Sequence, residues 1–184
     1  LEALLPTLLA ENPSGLILDL RRNPGGSLDT TVSIADQFLE EGVVLLQRFG
    51  DSQERVYESS DAGLAEDIPM VVLIDEGSAS ASEVLAGAIR DRERGVLIGQ
   101  TSFGKGTVQT WHRLSNEGGI RITIAQWLTP DEVSIHENGL APDYFIPKPE
   151  VTAQDEFEDT QLQAAIDYLQ GETVISVPPV DSNQ

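Results

Sequence analysis

Three serines alternate with small residues in the stretch GSASASE, residues 77–83, between an apolar run and a helical pattern. A serine at such a strand-to-helix corner projects into the crevice at the carboxyl end of the strand, where nearby N–H groups can bind an oxyanion. That position suits nucleophilic acyl transfer. The stretch also has a simpler interpretation, because Ser80 and Glu83 have the spacing of a capping box at the start of a helix. Taken alone, the stretch favours the cap.

A serine nucleophile needs a base to accept its proton, and the chain contains two histidines. His112 lies in a strand pattern and His136 lies in a polar loop without an obvious carboxylate, so both are interpreted as surface histidines. Lys105, in TSFGKGTVQ, is the more interesting candidate because it lies between two glycines in a turn after a buried strand. An amine held away from water loses its proton more readily and can accept one from a serine. An exposed turn lysine is the competing interpretation.

Residues 99–106, GQTSFGKG, come close to the pattern of a phosphate-binding loop. Gly106 stands where such loops carry the Ser or Thr hydroxyl that holds Mg²⁺. The residues that follow alternate like a strand, whereas phosphate binding uses the N-terminus of a helix. Nucleotide binding is therefore kept only as a minor alternative.

The third motif is LDLRRNPGG, residues 18–26, in which a buried strand runs into a turn. Gly25 and Gly26 leave their backbone N–H groups unobstructed, as an oxyanion hole or a peptide-binding edge requires. A plain strand-to-helix connection would also account for these residues.

In this order, the three motifs resemble those of the carboxyl-terminal processing proteases, or tail-specific proteases. The resemblance runs from about Gly15 to Pro147 and includes TPDEVSIHENGLAPDYFIP. It implies a serine peptidase core of the ClpP/crotonase-like fold that acts through a Ser–Lys dyad and an acyl-enzyme.

The resemblance also implies roles for individual residues. Ser80 corresponds to the nucleophile, Lys105 to the general base and Gln109 to the residue that orients the lysine. The backbone N–H of Ala81 and that of one of the two glycines, Gly25 or Gly26, would form the oxyanion hole. Ser78 or Ser82 would then be available to cap the helix.

The implied activity is that of an endopeptidase cleaving protein or peptide substrates near their C-termini, with apolar tails preferred. The implied setting is extracytoplasmic: the periplasm, the cell envelope or the thylakoid lumen. No metal or cofactor is implied, and a homo-oligomer is left open. Family members carry a PDZ domain and an N-terminal helical region upstream of the core, and we expect both regions, with the first core strands, to be absent here. The alternative is therefore a catalytically silent fragment that serves as a peptide-binding or assembly module.

Composition limits the other classes of function. The chain has 184 residues, of which 40% are hydrophobic, enough for one sizeable core. Eleven basic and 31 acidic residues give a net charge of −20, which argues against nucleic acid or anionic membrane as a partner. The absence of cysteine excludes disulfides, thiolate catalysis and Cys-based metal sites. No apolar stretch approaches the roughly 20 residues that span a bilayer.

The elements that must position the motifs alternate between strand and helix patterns. Apolar runs at 15–20, 70–75 and 95–99 predict strands that are buried on both faces. Helical spacing follows the first two runs, and the first of these helices is expected to end at Gly42. Period-two alternation between 107 and 128 predicts a hairpin with its turn at 115–118, and Ile120, Ile122 and Ile124 are expected on one face. Two further strands are predicted at 43–49 and 55–58.

Together these patterns predict an α/β fold: a ClpP/crotonase-like core with a mixed β-sheet flanked by helices and a C-terminal β-hairpin. Residues 1–150 are predicted to form the C-terminal part of the catalytic core. Residues 151–184 are predicted to form an acidic C-terminal helix, over 159–170, and an extended tail that ends in VPPVDSNQ.

Overall fold

The computed structural model describes residues 1, 3–115, 117–148 and 158–177. The elements, in chain order, are α1 (Leu5–Leu9), β1 (Leu16–Asp19), α2 (Leu28–Ala35), β2 (Gly42–Phe49), β3 (Glu54–Ser59), β4 (Met70–Ile74), α3 (Ala81–Asp91), β5 (Val96–Gly99), β6 (Thr107–Arg113), β7 (Gly119–Leu128), β8 (Tyr144–Phe145) and α4 (Thr160–Leu169). Asn116 of the predicted hairpin turn, and all of the VPPVDSNQ end after Val177, lie outside the described residues.

The strands form two sheets of four strands each. The first sheet has the order β1-β4-β5-β8 and all of its pairs are parallel. The second has the order β3-β2-β7-β6 and all of its pairs are antiparallel. The predicted α/β class is confirmed, and the structure adds that parallel and antiparallel strands separate into different sheets.

Strand β4 is buried on both faces, as its continuous apolar run predicts. Val72 and Ile74 face the main core, to which α2 and α3 contribute. Val71 and Leu73 face the opposite side, where Ala164 and the neighbouring residues of α4 pack. Helices therefore cover both faces of the parallel sheet, which is the usual arrangement for such sheets.

Helix α2 ends at Ala35, earlier than the predicted stop at Gly42, and Gly42 instead opens β2. The carbonyls that would continue the helix are bound by other segments. Gln37 O accepts a hydrogen bond from the Ala65 N–H, and Phe38 O accepts one from the Nε–H of Arg94. Tertiary hydrogen bonds thus replace the last helical turn that the apolar spacing predicts.

The predicted hairpin of β6 and β7 is confirmed. Strand β2 pairs only with residues 125–128 of β7, so the far half of the hairpin extends past β2. Ile120, Ile122 and Ile124 share one face there, as expected, and each remains 40–47% exposed.

Helix α4 occupies 160–169, within the predicted range of 159–170, and Ala164 and Ala165 are its buried apolar residues. Across the described ranges, none of the helices has the length and apolar character needed to cross a membrane.

Candidate active site

Ser80 lies at the corner between β4 and α3, as the N-cap residue of the helix. Its φ of 57° and ψ of −116° place a non-glycine residue in a region that L-residues rarely adopt. Such strain persists only where the surrounding contacts fix the backbone, and it is common at functional sites. The corner therefore needs contacts that hold Ser80 in this conformation.

Glu83 provides the first of these contacts. Its side chain is fully buried, and its Oε2 accepts the backbone N–H of Ser80 at 2.7 Å, which is the carboxylate half of the predicted capping box. The same oxygen accepts the backbone N–H of Lys105 at 2.9 Å. Its Oε1 accepts the Ser102 hydroxyl and the Gly104 N–H, both at 2.6 Å. One carboxylate therefore joins the serine motif to the lysine motif.

Ser78 and Asp75 join the corner to the LDLRRNPGG motif. The buried Ser78 hydroxyl donates to Leu20 O at 2.8 Å and accepts the Asp75 N–H at 3.0 Å. Asp75 Oδ1 accepts the backbone N–H groups of Arg22 and Gly77, both at 2.8 Å. Ser78 was a candidate helix cap, but its hydroxyl instead binds the neighbouring loop.

Gly25 packs directly against the corner formed by Ala79, Ser80 and Ala81. Its φ is +96°, and a Cβ there would lie 2.7 Å from Ala79 O and 2.8 Å from the Ala81 nitrogen. Only glycine fits both this conformation and this close approach. The N–H of Gly25 already donates to Asn23 Oδ1 at 3.0 Å.

The N–H groups of Gly26 and Ala81 have no acceptor among the described residues. Gly26 is exposed, and Ala81 is the first residue of α3, where backbone N–H groups lack partners within the helix. Of the two glycines, Gly26 is therefore the one whose donor is available to bind an oxyanion.

The backbone of the predicted base, Lys105, is joined to the Ser80 corner through Glu83. Lys105 is exposed, and no hydrogen bond joins its amine to the Ser80 hydroxyl within the described ranges. Gln109 is exposed on β6 and its amide donates to the Thr123 hydroxyl at 3.4 Å. The fold therefore brings Ser80, Ala81, Gly25 and Gly26 together, while the side chains of Lys105 and Gln109 are exposed.

A cavity of about 200 Å³ opens between α2 and α3, beside Gly25, Gly26 and Ala81. Leu20, Ile34 and Leu85 supply its apolar lining, and its polar lining residues are Asn23, Ser27, Thr30, Thr31 and Ser82. A pocket of this size and character suits an aliphatic side chain of a bound peptide.

The phosphate-binding alternative receives no structural support. Residues 99–106 lead into β6, not into a helix, so the loop lacks the helical N-terminus that a phosphate-binding loop uses. In the part of the chain that the structure describes, no cluster of three or more His, Cys, Asp or Glu side chains is arranged to hold a metal ion.

Sequence reasoning missed the partner of Asp75. Lys148 Nζ lies 2.8 Å from Asp75 Oδ2, and the Asp75 side chain is fully buried. Burial acts to raise the pKa of Asp75, but the Lys148 ammonium and the two backbone donors outweigh it, so the pKa lies below its ordinary value. Burial likewise acts to lower the pKa of Lys148, but Asp75 and Glu76 outweigh it and raise that pKa. The available signal was an acid ending a buried strand, which requires a partner.

His136 also differs from its interpretation as a surface histidine. It is half-buried, and its Nδ1 is buried without a hydrogen-bond partner among the described residues. Its backbone packs against Gly106, where a Cβ would lie 2.5 Å from the His136 nitrogen. Nothing links its ring to Ser80.

Residues 1–146 match the model of peptidase family S41. The "Carboxyl-terminal-processing protease" of Synechocystis sp. is 40% identical over 179 residues, which cover 94% of this chain and 40% of that protein. The chloroplastic "C-terminal processing peptidase" of Tetradesmus obliquus is 37% identical over 148 residues, which cover 80% of this chain and 32% of that protein.

Among solved structures, the photosystem II D1 C-terminal processing protease superposes with a TM-score of 0.73 at 37% sequence identity. The superposition covers 81% of this chain and 38% of that protein. The chain therefore spans about two fifths or less of the length of these relatives.

Proposed function

The chain belongs to peptidase family S41, and from that membership we propose that it forms the catalytic part of a serine endopeptidase that processes proteins near their C-termini. One observation carries the proposal. The buried Glu83 carboxylate binds the backbone N–H groups of both Ser80 and Lys105, so residues distant in sequence share a single anchor. A nucleophile and its base need this kind of fixed mutual geometry.

The proposed reaction is acyl transfer. The Ser80 hydroxyl attacks a peptide carbonyl while the neutral Lys105 amine accepts its proton. The N–H groups of Ala81 and Gly26 bind the oxyanion of the tetrahedral intermediate. Lys105 then protonates the leaving amine, and the acyl group stays on Ser80. In the second step the neutral Lys105 amine takes a proton from water as the water attacks the acyl carbonyl. Lys105 returns that proton to the Ser80 oxygen when the carboxyl product leaves.

This mechanism requires a hydrogen bond between the Lys105 amine and the Ser80 hydroxyl, which the described residues do not show. The Lys105 backbone is already held by Glu83 at 2.9 Å, so the bond needs only an adjustment of the side chains. Gln109 would then accept or donate a hydrogen bond that orients the amine, after leaving its long contact with Thr123. Apo active sites commonly have such loose catalytic contacts.

The cavity between α2 and α3 is proposed to receive the side chain on the acyl side of the cleaved bond. It lies beside the two proposed oxyanion donors, and Leu20, Ile34 and Leu85 are the aliphatic residues in its lining. Protein substrates with apolar C-terminal tails fit this lining. An extracytoplasmic location is proposed as well, because the relatives include a chloroplastic processing peptidase and the D1 processing protease.

A second candidate is a catalytically silent module that binds peptides or mediates assembly. The observation that favours it is the exposed Lys105, which has no hydrogen bond to Ser80 in the described part of the chain. Both candidates use the same cavity, so reactivity of Ser80 distinguishes them.

The first prediction concerns that reactivity. A fluorophosphonate probe should label Ser80, and both Lys105→Ala and Lys105→Arg should abolish labelling, because alanine has no amine and guanidinium does not release its proton. Mass spectrometry of the labelled peptide provides the measurement. Arg113→Ala, which removes an exposed cation at the end of β6, is the matched control and should label normally.

Undiminished labelling in Lys105→Ala would remove the lysine from the mechanism. A folded wild-type chain in which Ser80 is never labelled would favour the peptide-binding module.

A further inference from the structure

Helix α4 lies beyond the part of the chain that matches the family model, and its first residues bind the loop next to the active site. The carboxylate of Asp159, the N-cap residue, accepts Nη1 and Nη2 of Arg21 at 2.7 and 2.8 Å. Gln161 Oε1 accepts Nη1 of the same guanidinium at 3.1 Å. Arg21 therefore makes a bidentate contact with one end of α4, the strongest geometry for an Arg–carboxylate pair.

The Arg21 contact is partly shielded from water. The Arg21 side chain is 17% exposed and the Asp159 side chain is 24% exposed. The guanidinium lowers the pKa of Asp159 below its ordinary value, and burial opposes this only in part. Arg21 also binds Asp19, but that side chain is 48% exposed. The contact with α4 is thus the more buried of the two ion pairs.

The residues after Arg21 lead directly to the proposed oxyanion site. The Arg22 N–H is held by Asp75 at 2.8 Å, and Asn23 O accepts the Ala79 N–H at 3.0 Å. The chain then reaches Gly25, which packs on Ser80, and Gly26 with its available N–H. These bonds hold the middle of the turn, whereas the contact with Asp159 holds Arg21 at its start, so a shift of Arg21 would move the turn and the Gly26 donor from that end.

Helix α4 is itself firmly placed. Ala164 and Ala165 pack on Val71, Leu73 and Ile98 of the parallel sheet. Gln161 is 1% exposed, and its amide donates to Ile146 O at 2.8 Å. Because α4 is packed on the parallel sheet, a residue bound to α4 is also held in place relative to that sheet and to the Ser80 corner.

We propose that Asp159 is a positioning residue for catalysis, which fixes the Arg22–Gly26 turn, and with it the Gly26 oxyanion donor, through Arg21. The inference rests on the proposed function and assigns a role to α4. The effect belongs to the transition state, because the oxyanion forms only there. Weakening the Asp159–Arg21 contact should slow acylation of Ser80 without weakening the initial binding of substrate.

Asp159→Asn is the variant that tests the proposal. Asparagine is as good an N-cap as aspartate, so the bond to the Leu162 N–H and the helix should be retained. The charged, bidentate contact with Arg21 is lost. Asp167→Asn is the matched control, since that carboxylate lies on the same helix but contacts Gln163.

Two measurements are made on each variant. Hydrogen exchange of the Arg22 and Asn23 amides reports on the turn and requires no catalysis. The rate of Ser80 acylation by a chromogenic peptide ester, separated into kcat and KM, reports on the oxyanion site. In Asp159→Asn we expect faster exchange at the turn and kcat lower by about tenfold, with KM unchanged, since complete loss of a donor costs about 100- to 1000-fold. Asp167→Asn should match the wild type in both.

Unchanged exchange and unchanged kcat in Asp159→Asn would overturn the proposal, and so would a change confined to KM. A wild-type chain that the ester does not acylate would instead contradict the proposed function. The exchange measurement would still test whether α4 holds the turn, so the two failures are distinguishable.

Discussion

Two buried carboxylates lie on either side of Ser80 in the chain, and each binds backbone N–H groups from a different loop. Asp75 holds the Arg22 N–H on the oxyanion side. Glu83 holds the N–H groups of Gly104 and Lys105 on the side of the base. Each carboxylate also has a side-chain partner, Lys148 for Asp75 and Ser102 for Glu83. At the scale of single residues, the main chain on both sides of Ser80 is therefore held by hydrogen bonds to buried carboxylates.

Glu83→Gln should therefore disturb both stability and reactivity. The carboxylate accepts hydrogen bonds from four donors, whereas an amide presents an NH₂ group to two of them. Donors left unsatisfied in a buried site should lower the free energy of unfolding by about 3 kcal/mol. Denaturant unfolding provides the measurement, and labelling of Ser80 should be lost as well. Glu93→Gln, at an exposed position just after α3, should change the free energy of unfolding by less than about 0.5 kcal/mol.

At the scale of elements, sequence patterns predicted the features that depend on residues close together in the chain. The run at 70–75 predicted β4, and the Ser80–Glu83 spacing predicted the bond from the Ser80 N–H to Glu83. Patterns could not reveal that the other oxygen of Glu83 binds Ser102 and Gly104, because that contact depends on how β5 and its loop pack beside α3. The early end of α2 was missed for the same reason, since its carbonyls bind distant segments.

The space between α2 and α3 gives an element-scale prediction. Ile34→Ala should enlarge the cavity and admit aromatic side chains on the acyl side of the cleaved bond. The ratio of kcat/KM for phenylalanine over valine at that position should rise by about tenfold, because small changes in an apolar pocket produce effects of that order. Matched peptide pairs provide the measurement. Ser33→Ala, an exposed change on the same helix outside this cavity, should leave the ratio unaltered; an equal rise there would argue against the cavity as the specificity pocket.

At the scale of the whole molecule, the acidic chain depends on a few well-placed cations. Lys148 follows β8 near the end of the described core and reaches back to Asp75, which is fully buried. This pair joins the end of the family-matched region to the end of β4, just before the Ser80 corner. Its contribution to stability should depend on pH in a defined direction.

Lys148→Met leaves the Asp75 charge buried without its partner, which should lower the free energy of unfolding at pH 7 by about 3 kcal/mol. Folding lowers the pKa of Asp75. The contribution of this carboxylate to the free energy of unfolding is therefore present above about pH 4 and is lost as the pH falls through the lowered pKa. The pKa of Lys148 is raised, so its contribution is present below about pH 10 and is lost as pH rises through the raised value.

Thermal unfolding of wild type and Lys148→Met from pH 2 to pH 7 measures this dependence. The difference in Tm between wild type and Lys148→Met should be largest at neutral pH and should decrease toward pH 2. For Arg113→Met, which removes an exposed cation, the difference in Tm from wild type should not change with pH in this way. A Tm difference for Lys148→Met that stays constant from pH 2 to pH 7 would contradict the ion-pair account.

The anchoring of Ser80 by later residues has a consequence for synthesis. A ribosome-bound chain that has emerged only as far as α3 has made its serine, but it lacks the Ser102–Lys105 loop that occupies Glu83. The strained corner then lacks both the loop that binds Glu83 and the lysine that we propose as its base. Under the proposed mechanism we therefore expect Ser80 to become reactive only after the residues that follow β5 have been synthesised and have folded beside α3.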